Sequence, residues 1–398
     1  MEYRKETETY WNESAPHYSN TIQHEFVDEE KLWLNLIMKN APFQDHPMRV
    51  LDIGCGPGFF TIILTKAGHH VTGIDCTPNM LEEARKNAKS QGVEAEFMQM
   101  DVHRLNFPDN TFDLVVSRNV TWTLYEPELA YKEWKRVLKP GGRMLAFDAC
   151  WYMQVFKPEV LQEMKKGIKI YRKKHGDLPD RFLMHQREEY WIDLPMVGRE
   201  RPLWDRAQLW KLAFKDIVSE DISSLVNLED RDIYLYGCVP MFSVRGTKQS
   251  PEEEKYWERK VFWDGYAPRE GIKAMKMLEH GDMHYEQCIR PELPHTPAEV
   301  LDIGCGGGGD SLLMARDGYH VTGIDYSDEM VEEALYSSEQ SGIHVEFLKA
   351  EADKLPFEDS CFDVVLVDRM GEELFDREKA EKEWHRVLRE NGKIIVLN

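Results

Sequence analysis

The chain has 398 residues, about two to four times the usual domain of about 100 to 200, so two or three domains are expected in place of a single packed core. Hydrophobic residues make up 42% and charged residues 30%, enough apolar material for packed interiors, which excludes wholesale disorder. Lysine and arginine total 50 against 71 aspartates and glutamates, a formal charge of -21; that sign is wrong for following a phosphate backbone, so nucleic acid is not an expected partner.

The opening MEYRKETETYWNE lacks the apolar centre of a signal peptide. No run approaches the roughly 18 apolar residues of a membrane span, so a cytoplasmic location without membrane contact is expected. From Arg49 onward, runs of strand type alternate with helical stretches: RVLDIG, HVTGID from His70, AEFMQMD from Ala95, FDLVVS from Phe112 and RMLAFD from Arg143. Between them lie amphipathic segments such as MLEEARKNAKSQG, in which Met80, Leu81, Ala84 and Ala88 share a face. Strands that are apolar nearly throughout, each followed by a helix, predict a parallel sheet covered on both sides. Right-handed crossovers then make it a doubly wound, Rossmann-like α/β fold.

After Asp148 come the partly basic stretch MKKGIKIYRKKHG, an aromatic and proline-rich segment, and two strand-like runs, FKDIVSEDISS and YGCVPMFSVRG. The polar GTKQSPEEE then marks a boundary, giving expected domains 1–247 and 248–398. The second domain repeats the first. VLDIGCG begins at Val50 and Val300, HVTGID at His70 and His320, and EW-x-RVL at Glu133 and Glu383. Aligned without a gap, about 38 of the 99 positions in 50–148 match 300–398, which makes the chain a tandem duplication. The second copy stops after its fifth strand, GKIIVLN, whose edge would be bare and so suggests a homo-oligomer contact. Seven scattered cysteines, with no C-x-x-C pair and no Cys/His cluster at zinc spacing, predict reduced thiols and no metal.

In each copy a glycine loop follows a strand and opens a helix: Gly54, Gly56 and Gly58, then Gly304, Gly306 and Gly308. Missing side chains there let a ligand approach backbone N–H groups. Asp75 and Asp325 close the next strand, suited to accept hydrogen bonds from two ribose hydroxyls. Asp52 and Asp302 stand two residues before the first glycine, where a diphosphate binder gains nothing from a carboxylate, and no Walker lysine follows. A nucleoside with a cationic end fits best. A capping role for a buried aspartate at such a junction is the competing reading.

These residues resemble the class I S-adenosylmethionine-dependent methyltransferases, in particular the small-molecule group that is similar to the ubiquinone and menaquinone biosynthesis enzymes. The resemblance implies S-adenosyl-L-methionine as cofactor and a small-molecule methyl acceptor as partner. It implies that Asp52, Gly54, Gly56 and Gly58 frame the methionine part, that Asp75 takes the ribose, and that Asp101 with the Val102 amide meets adenine. It places Ser117, Arg118 and Asn119 beside the methyl donor, and Tyr18 over the amino-acid end. In the second copy Asp302, Gly304, Gly306, Gly308 and Asp325 carry over, with Glu351 in place of Asp101, so that copy is expected to bind the cofactor while the first performs catalysis.

Transfer from a sulfonium is an in-line displacement that needs positioning above all. If the acceptor must lose a proton, His17, His24 or His103 is the candidate base. Trp122 and Trp151, which follow the ends of strands four and five, head a group with Tyr125, Tyr152, Trp191 and Trp204 that could line an acceptor pocket. Packing is the plainer explanation for those rings. The rival functions are a non-catalytic S-adenosylmethionine sensor or scaffold, and aminopropyl transfer on the same fold.

Overall fold

A computed structural model describes residues 2–178, 189–226, 234, 235, 237–368, 370, 374 and 376–397. Contacts divide the chain into two compact units, Met1–Pro251 and Glu252–Asn398.

In the first unit, helices α1 (Glu2–Asp28) and α2 (Glu30–Asn40) precede the alternating set β1 (Arg49–Ile53), α3 (Phe59–Lys66), β2 (His70–Asp75), α4 (Pro78–Ser90), β3 (Glu96–Gln99) and β4 (Phe112–Arg118). There follow α5 (Pro127–Val137), β5 (Leu138–Ala149), α6 (Pro158–His175), α7 (Leu203–Lys211), β6 (Phe214–Asp221) and β7 (Met241–Lys248). The sheet order is β3-β2-β1-β4-β5-β7-β6. The first five strands are parallel, and β7 runs antiparallel between β5 and β6. The first of the two late strand-like runs ends at Asp221, where its last residues turn into a short helix, Ser223–Val226.

The strands look apolar throughout because alternate residues serve two cores. Val50, Leu114, Val116, Leu145 and Phe147 pack under α1 to α4. Leu51, Ile53, Val115, Met144 and Ala146 face α5 and α7 on the other side. On α4 the buried residues are Met80, Leu81, Ala84, Asn87 and Ala88, the anticipated face with one polar member added.

The second unit begins with the 30-residue helix α8 (Pro251–His280). It continues with β8 (Glu299–Ile303), α9 (Gly309–Arg316), β9 (His320–Asp325), α10 (Asp328–Ser341), β10 (Glu346–Lys349), β11 (Phe362–Asp368), α11 (Arg377–Val387) and β12 (Leu388–Leu397). Its five strands are parallel in the order β10-β9-β8-β11-β12. Among the described residues β12 pairs on one side only, with β11. The same alternation splits its core, Val300, Val364 and Leu366 on one face and Leu301, Ile303, Val365 and Val367 on the other. Parallel register sets Ile53 beside Ile74 and Ser117 in the first sheet, and Ile303 beside Ile324 and Val367 in the second. Within each sheet the carboxyl-terminal ends of the five parallel strands therefore meet along one edge of that sheet, where open α/β sheets bind ligands.

Candidate functional site

At that edge the first unit has a cleft of about 1040 Å³, over which α1 contributes Trp11, Tyr18 and Ile22. Of the candidate site residues named above, the cleft is lined by Tyr18, Asp52, Gly54, Gly56, Asp75, Asp101, Val102, His103, Arg118, Asn119 and Tyr125.

The glycine loop is shaped by close approach. Gly54 has φ +61°, and a Cβ on it would stand 2.5 Å from Val120 Cγ2; neither condition suits a side chain. Asp52 Oδ2 accepts from the Thr61 amide at 2.9 Å and from Thr61 Oγ1 at 2.6 Å. It thus ties β1 to the first turn of α3 while still lining the cleft, so the capping role is present in the fold. Burial pushes its carboxyl up to about 6, against the pull of the Thr61 hydrogen bonds. Asp75 braces the loop as well: Oδ1 accepts from the amide and hydroxyl of Thr77 at 2.9 and 2.7 Å, and Oδ2 from the Gly56 amide at 3.0 Å. A carboxylate offers about four acceptor positions; with three of them taken, Asp75 keeps room for one further hydroxyl donor on Oδ2.

Asp101 is held on both oxygens. His103 Nδ1 stands 2.8 Å from Oδ1, and the Tyr125 hydroxyl donates to Oδ2 at 2.6 Å. Burial works against ionisation there, but the bonds from His103 and Tyr125 outweigh it and hold the carboxyl below its usual range. His103 Nε2 accepts from the Glu126 amide at 3.3 Å, which assigns the proton to Nδ1. Although it lines the cleft, His103 therefore has both ring nitrogens committed, one to Asp101 and the other to the Glu126 amide.

Arg118, at the end of β4, is buried with its guanidinium 4.8 to 5.1 Å from the ring centres of Phe59, Phe60 and Trp33. Its Nη2 donates to Glu25 of α1 at 2.6 Å. Burial opposes the cation, and Glu25 more than restores it. Asn119 is left-handed, φ 56°, a conformation asparagine tolerates and one that concentrates at functional sites. Its Oδ1 is buried and lacks a hydrogen-bond partner.

The loop that follows is fixed from behind. Asp148, ending β5, accepts from Thr121 Oγ1 and from the Trp122 amide. Arg201 bonds Asp148 at 3.2 Å and Asp205 at 2.6 and 2.9 Å, and the Tyr131 hydroxyl reaches Asp205 at 2.6 Å.

Other sequence candidates lie elsewhere. Gly58 sits behind the loop, where a Cβ would meet Ala84 and Phe97 at 3.1 Å. Ser117 is buried within the sheet. His17 and His24 are exposed positions of α1 outside the lining. Trp122 is buried in a ring cluster with Tyr152 and Trp191, onto which Tyr10, Trp11 and Trp151 pack, and its indole N–H donates to Asn119 O at 3.1 Å. That cluster forms a wall, and of the aromatic group only Tyr125 reaches the cleft, joined by Trp11, which was not singled out.

The second unit has a cleft of about 940 Å³ lined by Asp302, Gly304, Gly306 and Asp325, while Gly308 packs behind against Phe347 and Ala334. Ser311 Oγ donates to Asp302 at 2.5 Å, and the amides of Gly306 and Ser327 donate to Asp325 at 3.1 and 2.9 Å. Glu351 is exposed and lies in a smaller neighbouring cleft with Tyr256, Lys349 and Lys354; Tyr326 lines both.

Sequence reasoning missed the contributions of Trp11, Ile22 and Glu25 from α1. A signal was available: the pairs Trp11 with Ala15-Pro16 recur as Trp263 with Ala267-Pro268, displaced by 252 residues instead of 250. Trp263 lines the second cleft as Trp11 lines the first.

Residues 51–146 and 301–396 each match the family profile described as "Methyltransferase domain". The chain is 24% identical over 368 residues to phosphoethanolamine N-methyltransferase 1 of Triticum aestivum, covering 87% of this chain and 66% of the wheat protein. It is 37% identical over 173 residues to demethylmenaquinone methyltransferase of Staphylococcus aureus, 42% of this chain and 66% of that protein. The chain thus spans slightly less than two thirds of either relative. A Haemonchus contortus phosphoethanolamine N-methyltransferase 2, solved with phosphomonomethylethanolamine and S-adenosylhomocysteine, aligns at TM-score 0.39 and 18% identity over 55% of this chain and 52% of that one.

Proposed function

We propose that this chain, which matches the methyltransferase domain profile twice, is a methyltransferase whose first unit binds S-adenosyl-L-methionine and methylates a small molecule. The second unit, on this reading, binds a related nucleoside. The observation that carries the proposal is the first cleft, where one edge of one sheet gathers a glycine cradle, two loop-bracing carboxylates, a buried cation and an acceptor atom without a partner.

The residues fit the cofactor. Gly54 and Gly56 leave room for its methionine part, Asp75 has acceptor capacity for the ribose, and Asp101 with the Val102 amide suits adenine. Arg118 offers a counter-charge to a carboxylate, and Asn119 Oδ1 an acceptor for an ammonium. When bound, the cofactor supplies a methyl group already activated by the sulfonium charge. Everything else is placement. Trp11, Tyr18 and Ile22 exclude water from above, and the Asp148–Arg201–Asp205 network holds the loop that shapes the acceptor side. Orientation of this kind supplies roughly 7 to 11 kcal/mol of a displacement barrier. No protein base is assigned, since His17 and His24 lie outside the cleft and His103 is committed to Asp101.

The test is release of S-adenosylhomocysteine by the full chain when offered small acceptors, beginning with phosphoethanolamine and a demethylated menaquinone, the kinds named for the relatives. Asp75→Ala abolishes turnover on this proposal and Asp325→Ala leaves it largely intact; the opposite pattern would assign catalysis to the second unit.

A further inference from the structure

Each cleft is covered by a helix that meets the start of the helix after the second strand of its sheet, and the two meetings differ in chemistry. In the first unit Asn12 of α1 faces Asn79 of α4: the Asn79 amide donates to Asn12 Oδ1 at 3.1 Å, and Asn79 Nδ2 donates to Asn12 O at 2.9 Å. The corresponding pair in the second unit, 252 residues on along the cover and 250 along α10, is Asp264 and Glu329. Two amides have become two carboxyls. A lysine has been set among them, since Lys260 of α8 stands where α1 has Glu8. Its Nζ lies 2.7 Å from Asp264, 3.2 Å from Asp328 and 3.5 Å from Glu329. Lys349, ending β10, holds Asp328 from the other side at 2.7 Å.

This cluster lies at the cleft. Asp264 follows Trp263, which lines the cleft from the cover, and its Oδ1 accepts from Ser327 Oγ at 2.6 Å. The Ser327 amide in turn donates at 2.9 Å to Asp325, which lines the cleft from the floor. Burial opposes the charge on Asp264, but the bonds with Glu329, Lys260 and Ser327 outweigh it and hold the carboxyl below its usual range. Further along, and among the described residues, α8 lacks a tether that α1 has. Asn87 of α4 accepts from Gln23 Nε2 at 2.5 Å and donates to Ser19 Oγ at 3.1 Å. In the second unit Asn87, Gln23 and Ser19 are replaced by Ser337, Met275 and Gly271 respectively, and Ser337 Oγ is buried without a hydrogen-bond partner. An isolated exposed ion pair contributes little, but one ammonium shared by three carboxylates from two helices is a network. The Asp328 and Glu329 side chains are 48 and 50% exposed, which leaves that network open to screening by salt.

We infer that Lys260, Asp264, Asp328 and Glu329 form an ionic latch that holds α8 closed over the second cleft and releases it as charge is screened or removed. The latch belongs to the ligand-free chain, so its test is separate from that of methyl transfer.

Hydrogen exchange of the full chain, read by mass spectrometry, tests this at about 0.1 M and about 1 M potassium chloride, between which the screening length falls from about 10 to about 3 Å. The expected result is at least threefold faster exchange at high salt in residues 257–268 of α8, with β8 and β9 unchanged. Lys260→Met produces that increase at low salt and leaves little further response. Asp264→Asn with Glu329→Asn builds the first unit's pair into the second and removes most of the salt dependence, again with β8 and β9 unchanged. No change with salt at 257–268, or a salt response that persists in Lys260→Met, overturns the inference. An equal rise in β8 and β9 overturns it too, because it assigns the effect to unfolding of the whole unit.

Discussion

Gly54 and Gly56 separate two penalties that usually act together. Both are left-handed, at φ +61° and +52°, but a Cβ on Gly54 would lie 2.5 and 3.1 Å from the two γ-carbons of Val120, whereas on Gly56 its nearest neighbour is Met80 Sδ at 3.9 Å. The left-handed conformation costs an alanine about 1–2 kcal/mol. Forcing an extra carbon into a packed place adds about 1–3 kcal/mol, and the β-branched Val120 has little rotamer freedom with which to yield. Gly54→Ala should therefore destabilise the first unit by about 2–5 kcal/mol and Gly56→Ala by about 1–2 kcal/mol. Urea unfolding followed by near-ultraviolet circular dichroism reports this unit through the Trp122, Tyr152 and Trp191 cluster, and comparison with a Trp384→Phe background removes the main tryptophan signal of the second unit. Val120→Ala in the Gly54→Ala background removes the clashing methyl groups and should recover part of the difference. Equal losses for the two glycine variants would refute the steric argument and place the whole effect in the backbone.

Arg201→Met leaves the Asp148 and Asp205 carboxylates buried without their cation, and should cost about 3–5 kcal/mol of first-unit stability in the same urea assay; a loss below about 1 kcal/mol would contradict a charge-paired network. Because Asp52 is raised from 3.8 to about 6 in the fold, the folded state binds more protons than the unfolded chain between those values. Its contribution is present at pH 4 and lost as the pH rises through 6, about 3 kcal/mol in all; Asp52→Asn should remove that part of the slope in unfolding curves of the ligand-free protein. Arg118→Met should weaken S-adenosylmethionine binding at the first cleft at least tenfold, measured by calorimetry. Adding Glu25→Gln should then restore stability without restoring affinity.

The parallel strands and their doubly wound arrangement could be foreseen because burial on both faces makes each parallel strand an uninterrupted apolar run, and the duplicated motifs tied each glycine loop to a strand end; the antiparallel place of β7 between β5 and β6 could not. The site was legible where a residue's place on a strand sets its position, as for Asp75, Asp101 and Arg118. It was not legible where direction decides. Trp122 follows a strand end as expected, yet its ring turns into the cluster with Trp191, a contact between segments about 70 residues apart. Asp52 could not be divided in advance between cap and ligand, because both roles place an aspartate before a tight turn and only Thr61, nine residues on, reveals the bond. Beyond Tyr18, the part played by α1 was hidden because Pro16 within it reads as a helix breaker and its apolar residues form no clean stripe; its inner face is specified by the cleft it covers.

That α1 spans Glu2–Asp28 and covers the first cleft has a practical side. Side-chain links from α1 to the rest of the unit include Asn12 with Asn79, Gln23 with Asn87, and Glu25 with Arg118. A ligand that fills the space beneath it adds contacts along its whole inner surface, so protease resistance of the N-terminal segment becomes a readout of occupancy that needs no knowledge of the acceptor.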